Sequence, residues 1–465
     1  MNHLQLAWRN LLRNPRRTGT TLAALVVGLA SLLLFSGFTS AIMATLETGI
    51  VTSTGHLHVQ RQGFARFGFG NPTQYSIENT DEVVAALRAD PAIAAQVRVI
   101  TPLLLFNGLA SRQGAGDGRM VGGEGVDVAG QQALRQWDGH GLAQAVGSRF
   151  ALPAEPADAA LVGVGLARML GLCAALGIDG CAPSNAGVPA AAASAAALPA
   201  DLLSLSVAEA RGPDAPAGGR IDLLTASAGG APNVIAATVV SAQNQGLGAL
   251  DSSYIALQLE PARRLVFGRA AAQQSTMLVV QLHETRAMAP TKAAIQALLQ
   301  QRGWPLVAVD FHQFFAEYRQ IELMFRAIFG FVAVLMAVIV LFTVANTMSA
   351  AVIERTAEIG TVRALGLRPA GVQRLFLLEG ALVGVGGTLL GVLLALGLAW
   401  LVNHAGLTWV PPNRVTAVPL LVHLGGDLRA VGLAAATLLA VTALSAWLPA
   451  RRGARQPIVE ALRHA

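Results

Sequence analysis

The chain has 465 residues, of which 53% are hydrophobic and 13% charged, and 33 basic against 27 acidic side chains leave a net charge of +6. An ordinary soluble domain carries roughly 25% charged residues, so a disordered or collagen-like chain is excluded and a purely soluble one is disfavoured. The length has room for several domains at about 150 residues each.

Four segments are long and apolar enough to cross a bilayer, which takes about 20 residues. They are residues 19–45, 325–348, 375–402 and 431–448. Arg326 and Glu379 fall near the ends of their segments. A charge at mid-bilayer costs about 2.5–3.5 kcal/mol, so this placement fits real spans. The first segment reads as an uncleaved anchor, with a cleavable signal peptide as the alternative. Its apolar core exceeds the roughly 7–15 residues of a signal sequence. Arginines set the expected orientation. Arg9, Arg13, Arg16 and Arg17 precede the first span, Arg355, Arg363, Arg368 and Arg374 follow the second, and Arg451, Arg452, Arg455 and Arg463 follow the fourth. The link at 403–430 has only Arg414 and Arg429. Both termini (1–18 and 449–465) and the 349–374 loop are therefore expected in the cytoplasm.

Residues 46–324 lie between the first two spans and are expected on the outer side, long enough to fold around their own core. Period-two alternation predicts strands at 55–60 and 98–103, the latter an edge strand because of Pro102. Further strands are predicted at 120–126, 220–225, 234–240, 254–257, 277–282 and 306–310. Helices are predicted at 79–87, capped by Asn79 or Thr80, and at 290–301. The fold class is an α-helical membrane protein with four transmembrane helices and a large α+β extracytoplasmic domain inserted between helices 1 and 2. Residues 173–203, rich in Ala, Pro, Ser and Gly, read as a flexible insertion. Cys173 and Cys181, the only cysteines, are either disulfide-bonded across its entrance or two buried thiols.

Enzymatic signatures are missing. The single lysine, Lys292, follows Thr291 and precedes Ala293, so a G-x-x-x-x-G-K-[ST] phosphate loop cannot form in this sequence. There is no H-E-x-x-H and no G-x-S-x-G. His56 and His58 share one face of the first strand but lack an identifiable third ligand, so surface or packing roles are favoured over metal. Gly122–Gly125 reads as a turn. No cofactor, no metal and no nucleic acid is expected.

The 349–374 loop carries a distinctive run, Asn346-Thr347-Met348 followed by Val352-Ile353-Glu354-Arg355-Thr356-Ala357-Glu358-Ile359-Gly360-Thr361-Val362-Arg363-Ala364-Leu365-Gly366. Glu354 and Glu358 are spaced i,i+4, Ile359, Val362 and Leu365 make an apolar stripe, and Gly366 offers a helix stop. A short surface helix that docks a cytoplasmic partner and a solvated connecting turn fit this pattern equally well. The run resembles the signature of FtsX/MacB-like ABC transporter permeases. Ala7-Trp8-Arg9-Asn10-Leu11-Leu12-Arg13-Asn14-Pro15 is similar to that family's amphipathic amino-terminal helix, and Leu448-Pro449-Ala450-Arg451-Arg452 and Pro457-Ile458-Val459-Glu460-Ala461-Leu462-Arg463 to its tail. Gly55–Val59 and Leu161–Leu172 are similar to the lipoprotein-releasing (LolC/LolE-like) branch, from which the 173–203 insertion departs.

The resemblance implies a permease of the bacterial inner membrane that works in a dimer, homomeric or heteromeric, with separate cytoplasmic ABC ATPase subunits and has no enzymatic activity of its own. It implies a coupling helix that includes Glu354, Arg355, Glu358, Ile359, Gly360, Arg363, Leu365 and Gly366. It further implies a stalk of the first two helices that transmits motion to the outer domain, with lipoproteins or other amphipathic molecules as cargo. A signalling subunit that activates an extracytoplasmic hydrolase without transport is the alternative. The stretch Phe311–Phe329 lacks Gly and Pro, and a continuous stiff helix is expected there, as a lever or as an ordinary juxtamembrane helix. In the third span Gly380, Gly384, Gly387 and Gly391 are small residues at i+3 and i+4 steps, which predicts close helix packing within the chain or across a dimer. Glu379 is expected to be structural or interface-facing rather than a proton relay, since no span carries a row of ionisable groups.

Overall fold

A computed structural model describes residues 3–113, 117–142, 150–178, 219–227, 229–246, 248–268, 273–410, 417–424 and 428–457. The chain forms two compact units. One comprises Met1–Met43, Arg319–Thr408 and Pro419–Ala465, the other Ala44–Tyr318 and Trp409–Val418. In chain order the principal elements begin with helices α1 (His3–Arg13) and α2 (Pro15–Thr54), strand β1 (Leu57–Arg61) and helix α3 (Thr80–Ala89). Strands β2 (Val97–Arg112) and β3 (Arg119–Val126), helix α4 (Val128–Leu134), strand β4 (Ala159–Gly163) and helix α5 (Val164–Met169) follow. Next come β5 (Arg220–Ala226), β6 (Pro232–Gln243), β7 (Tyr254–Gln258), α6 (Leu259–Phe267), β8 (Met277–Leu282), α7 (Met288–Gln301) and β9 (Leu306–Asp310). The chain continues through α8 (Phe311–Phe314), α9 (Ala316–Glu354), α10 (Thr356–Ala364), α11 (Pro369–His404) and α12 (Leu428–Arg455).

The first unit is helical. α2, α9, α11 and α12 are each long and apolar enough to span a membrane. Their core includes Leu25 and Leu29 from α2, Val344 and Met348 from α9, Val383 from α11 and Ala446 from α12. The glycines of α11 make this packing close. A Cβ on Gly380 would lie 2.6 Å from the Ala446 Cβ, and one on Gly384 2.5 Å from the Thr442 hydroxyl. The same atom on Gly387 would lie 2.8 Å from the Leu25 Cβ, and on Gly391 3.1 Å from the Leu29 Cβ. Two glycines thus receive α12 and two receive α2, all within one chain. A hydroxyl pair, Thr21 and Thr347 at 2.8 Å, links α2 to α9, as small polar side chains do between apolar helices.

The second unit is a mixed sheet flanked by helices. Its nine strands run in the order β3-β7-β4-β6-β5-β2-β8-β1-β9, and β3 also pairs with β2. Strands β2, β3, β7, β4, β6 and β5 therefore form a closed circuit, from which β8, β1 and β9 continue as an open extension. The 16-residue β2 serves both parts: Val97–Leu103 pairs with β8, while Leu103–Ala110 pairs with β3. Leu104, Phe106, Val162, Leu223, Val239 and Ile255 pack in the core of the circuit. On the extension, α3 and α7 cover Leu57, Val59, Leu278, Val280 and Leu306.

Pro102 lies opposite Leu278 in the stretch of β2 that pairs with β8 alone, a local edge that ends at the next residue, where the β3 pairing begins. Two sequence expectations change. Gly122–Gly125 is not a turn but the middle of β3. Glycine is required there because a Cβ at Gly123 would lie 2.1 Å from the Phe106 ring and one at Gly125 2.3 Å from the Ala262 Cβ. The helix expected through Phe311–Phe329 is interrupted at Phe315 (φ −107°, ψ 83°). Asp310 caps the single turn of α8 by accepting from the Gln313 N–H at 3.0 Å. Fully buried Phe311 then packs edge-on to Tyr318 at 5.3 Å, and the long helix starts afresh at Ala316. The expected bond between Cys173 and Cys181 involves Cys181, which lies outside the described residues.

Candidate functional site

The loop after α9 is where the sequence places its most specific motif, and its geometry follows from one arginine. The backbone leaves helical geometry at Arg355 (φ −105°, ψ 17°), which separates α9 from α10. Arg355 turns inward instead: Nη1 donates to Glu379 Oε1 of α11 at 2.9 Å, and Nη2 to the Asn10 carbonyl of α1 at 3.1 Å. The Asn10 amide donates to the same carboxylate oxygen at 2.6 Å. The two charged side chains are 13% and 3% exposed. A buried carboxylate is tolerable only when paired and hydrogen-bonded in this way.

The break places Glu354 and Glu358 on different helices, so they do not form one i,i+4 helical pair. They nevertheless meet neighbouring residues around the α1–α2 junction. Glu354 accepts from Asn14 (3.3 Å) and Arg17 (3.1 Å), and Glu358 from Arg13 (2.7 Å). Arg363 donates to the Gln456 carbonyl after α12. The expected apolar stripe is also divided. Ile359 is buried with Val352, Val372, Phe376, Ala450 and Ala454, and Gly360 is buried beside it. Val362 and Leu365 face outward, Leu365 at 83% exposure, and Gly366 closes the helix with φ +100°. The buried face thus anchors the motif to α9, α11 and α12, and Val362 and Leu365 stay exposed on the opposite side.

The residues of α1 and early α2 that hold this loop were missed by sequence reasoning as partners, although a signal was present. Asn10, Arg13, Asn14 and Arg17 recur at helical spacing opposite exposed Leu4, Trp8 and Leu12. A polar stripe facing protein and an apolar stripe facing outward are what an amphipathic helix at an interface requires.

The same unit holds a cavity of about 560 Å³ between α2, α9 and α12, lined among others by Leu32, Phe329, Met336 and Leu438. Phe35 and Phe329 stack beside it with ring centroids 6.4 Å apart. The Glu322–Arg326 pair, 2.6 Å, supplies the charged part of its lining. Among the described residues no group of three or more candidate metal ligands converges at His56 and His58. His58 is fully buried against Phe314, ring centroids 4.5 Å apart, and burial pushes it down to about 4.

Comparison with known proteins finds relatives that share parts of this sequence. Residues 330–458 match the FtsX-like permease C-terminal domain. The chain is similar to the ABC transporter permease YtrF of Bacillus subtilis, 42% identical over 16% of this chain and 17% of that protein. It is also similar to the lipoprotein-releasing system transmembrane protein LolC of Neisseria meningitidis, 27% identical over 57% of this chain and 64% of LolC. The macrolide export ATP-binding/permease protein MacB of Hyphomonas neptunium is 26% identical over 50% of this chain and 34% of MacB. The resemblance to FtsX/MacB-like permeases near the LolC branch is thus shared by the residues and the comparisons. The match spans less than two thirds of each of these relatives.

Proposed function

We propose that this chain is the permease subunit of an inner-membrane ABC transporter of the LolC/MacB type, driven by a separate cytoplasmic ATPase. The observation that carries this reading is α10: its inner face is fastened to α1, α9, α11 and α12, while Val362 and Leu365 project outward on a rigid mount. A docking element that transmits force needs both properties. Slack at the mount would absorb the displacement, and an exposed apolar tip provides the area on which a partner binds. In this reading both termini and 349–374 are cytoplasmic, 46–324 is extracytoplasmic, and a second permease chain completes the dimer. α2 and α9 carry nucleotide-driven motion from the cytoplasmic side outward.

The apolar cavity between α2, α9 and α12 favours transport over signalling. Its volume and lining suit one or more acyl chains, so a lipoprotein or another amphipathic molecule is the proposed cargo. The Glu322–Arg326 pair at its wall suits a polar head. Co-expression with the cognate ATPase tests the reading. The wild-type chain should retain the ATPase through purification and stimulate its turnover, and Leu365→Asp should abolish both. Retention and stimulation unaffected by Leu365→Asp combined with Val362→Asp would contradict it.

A further inference from the structure

In the second unit the last turns of α2 meet two other segments at one carboxylate. Glu47 Oε1 accepts the Thr285 hydroxyl at 2.5 Å, from the turn after β8, and His140 Nε2 lies 3.2 Å from the same oxygen, from the segment after α4. Behind Thr285 stands His56, with Nε2 3.1 Å from the threonine oxygen. The Leu282 N–H donates to His56 Nδ1 at 3.1 Å. That bond fixes the tautomer: Nδ1 is the acceptor, so Nε2 carries the proton and donates to Thr285, whose own proton is free to go to Glu47. The Trp137 ring packs edge-on to both imidazoles, at centroid distances of 5.2 and 5.7 Å, and its indole N–H donates to the His283 carbonyl at 3.2 Å.

We propose that Glu47 and His140, with Thr285 holding the carboxylate in place, form a proton-operated latch that fastens the end of α2 to the segment after α4 when His140 is charged and loosens it when His140 is neutral. The two histidines are built for opposite behaviour. The hydrogen bond from His140 to Glu47 outweighs burial and raises His140 above its ordinary value, with Asp138 adding to the attraction. Burial pushes His56 down to about 4, against the pull of Glu47 and with a push from His140. A second proton on His56 would also have to displace the Leu282 N–H. His56 is thus a fixed neutral donor, and His140 is the group that changes charge across mild pH. The other charged groups on the turn, Glu284 and Arg286, pair with each other.

The sign follows from linkage. A histidine raised in the folded state contributes fully below its unfolded value, near 6.5, and loses that contribution as pH rises through the folded value. The latch is closed in mild acid and open in alkali. A separate tie, Gln281 Nε2 to the Val51 and Leu134 carbonyls at 3.0 and 2.8 Å, has no titrating member and stays closed throughout. The consequence for transport rests on the proposed role of α2 as a moving helix: an alkaline exterior would free that helix, and an acidic one would brake it.

The test is hydrogen exchange by mass spectrometry on the full chain in lipid nanodiscs, at about pH 6 and about pH 8.5, either side of the ordinary histidine range. Rates are normalised to intrinsic exchange and read on peptides covering 44–54 and 135–142. The wild type should exchange several-fold faster there at the higher pH, with peptides from β2 and β3 unchanged. His140→Gln and the conservative Glu47→Gln should each remove that difference while leaving the rest of the sheet protected. Equal normalised rates in the wild type, or an unchanged difference in His140→Gln, would overturn the latch. No ATPase takes part in this measurement, so its failure leaves the permease reading intact, and failure of ATPase retention leaves the latch intact.

Discussion

Arg355 and Glu379 form a 2.9 Å ion pair between the start of α10 and the interior of α11, and the Asn10 amide completes the carboxylate's coordination. Removing one partner of such a pair strands a buried charge, which costs about 3–5 kcal/mol. Arg355→Ala and Glu379→Ala should therefore each lower the thermal midpoint of the purified chain markedly. The joint replacement Arg355→Met with Glu379→Leu should lose much less. A double mutant no more stable than the singles would show that the charges themselves are not what holds the loop.

The glutamates of the loop are engaged with Arg13, Asn14 and Arg17, and both ion pairs have largely exposed members. Exposed pairs are worth about 0–1 kcal/mol each. Replacing Glu354 and Glu358 by Gln should leave global stability nearly unchanged but increase protease access to residues 3–17. The charge reversals Arg13→Glu and Glu358→Arg together should restore protection. Unaltered proteolysis in the double Gln variant would contradict the clamp.

Gly380 leaves no space for a methyl group against Ala446. Overpacking of this kind costs about 1–3 kcal/mol. Gly380→Ala should destabilise the membrane unit, and Ala446→Gly in the same chain should recover most of the loss. That reciprocal rescue, read as a thermal midpoint in detergent, distinguishes the α11–α12 contact from an unrelated effect of the glycine.

His58 gives the second unit an acid limit. Burial holds it near 4, with the Thr54 backbone and the Asp310 charge opposing that shift. A depressed histidine contributes stability that is present above its unfolded value near 6.5 and lost as pH falls through the folded value. His58→Leu should move the acid unfolding midpoint of the full chain, followed by near-ultraviolet circular dichroism, to lower pH. No movement would mean that another group sets the limit.

Much of the architecture was legible because it rests on local patterns. The long apolar runs became α2, α9, α11 and α12, and the short apolar runs at 277–282 and 306–310 became β8 and β9. β4 escaped because Ala159–Gly163 carries no alternation and, with two Ala, a Gly and a single Val, little of the β-branched character that marks β8. The strand circuit escaped because β2–β3–β7 closure is a matter of long-range pairing, and its cost in side-chain volume shows in the sequence only as Gly123 and Gly125, which mimic a turn. At the candidate site the motif was visible, but the division of labour within it was not. Arg355 served as a topology signal in a list of arginines, while its pairing with Glu379 depends on α11 folding back beside α9. Ile359, Val362 and Leu365 shared a spacing, yet only tertiary packing decides that the first is buried and the last is free.

In the proposed function α10 receives force from a separate ATPase through its exposed tip. A photo-crosslinking amino acid at position 365, in the chain co-expressed with the ATPase in cells, reads out that contact. A crosslink to the nucleotide-hydrolysing subunit is expected from position 365 and none from exposed Met120 of the second unit. Crosslinks from position 365 to extracytoplasmic proteins, or nucleotide turnover by the purified chain alone, would contradict it.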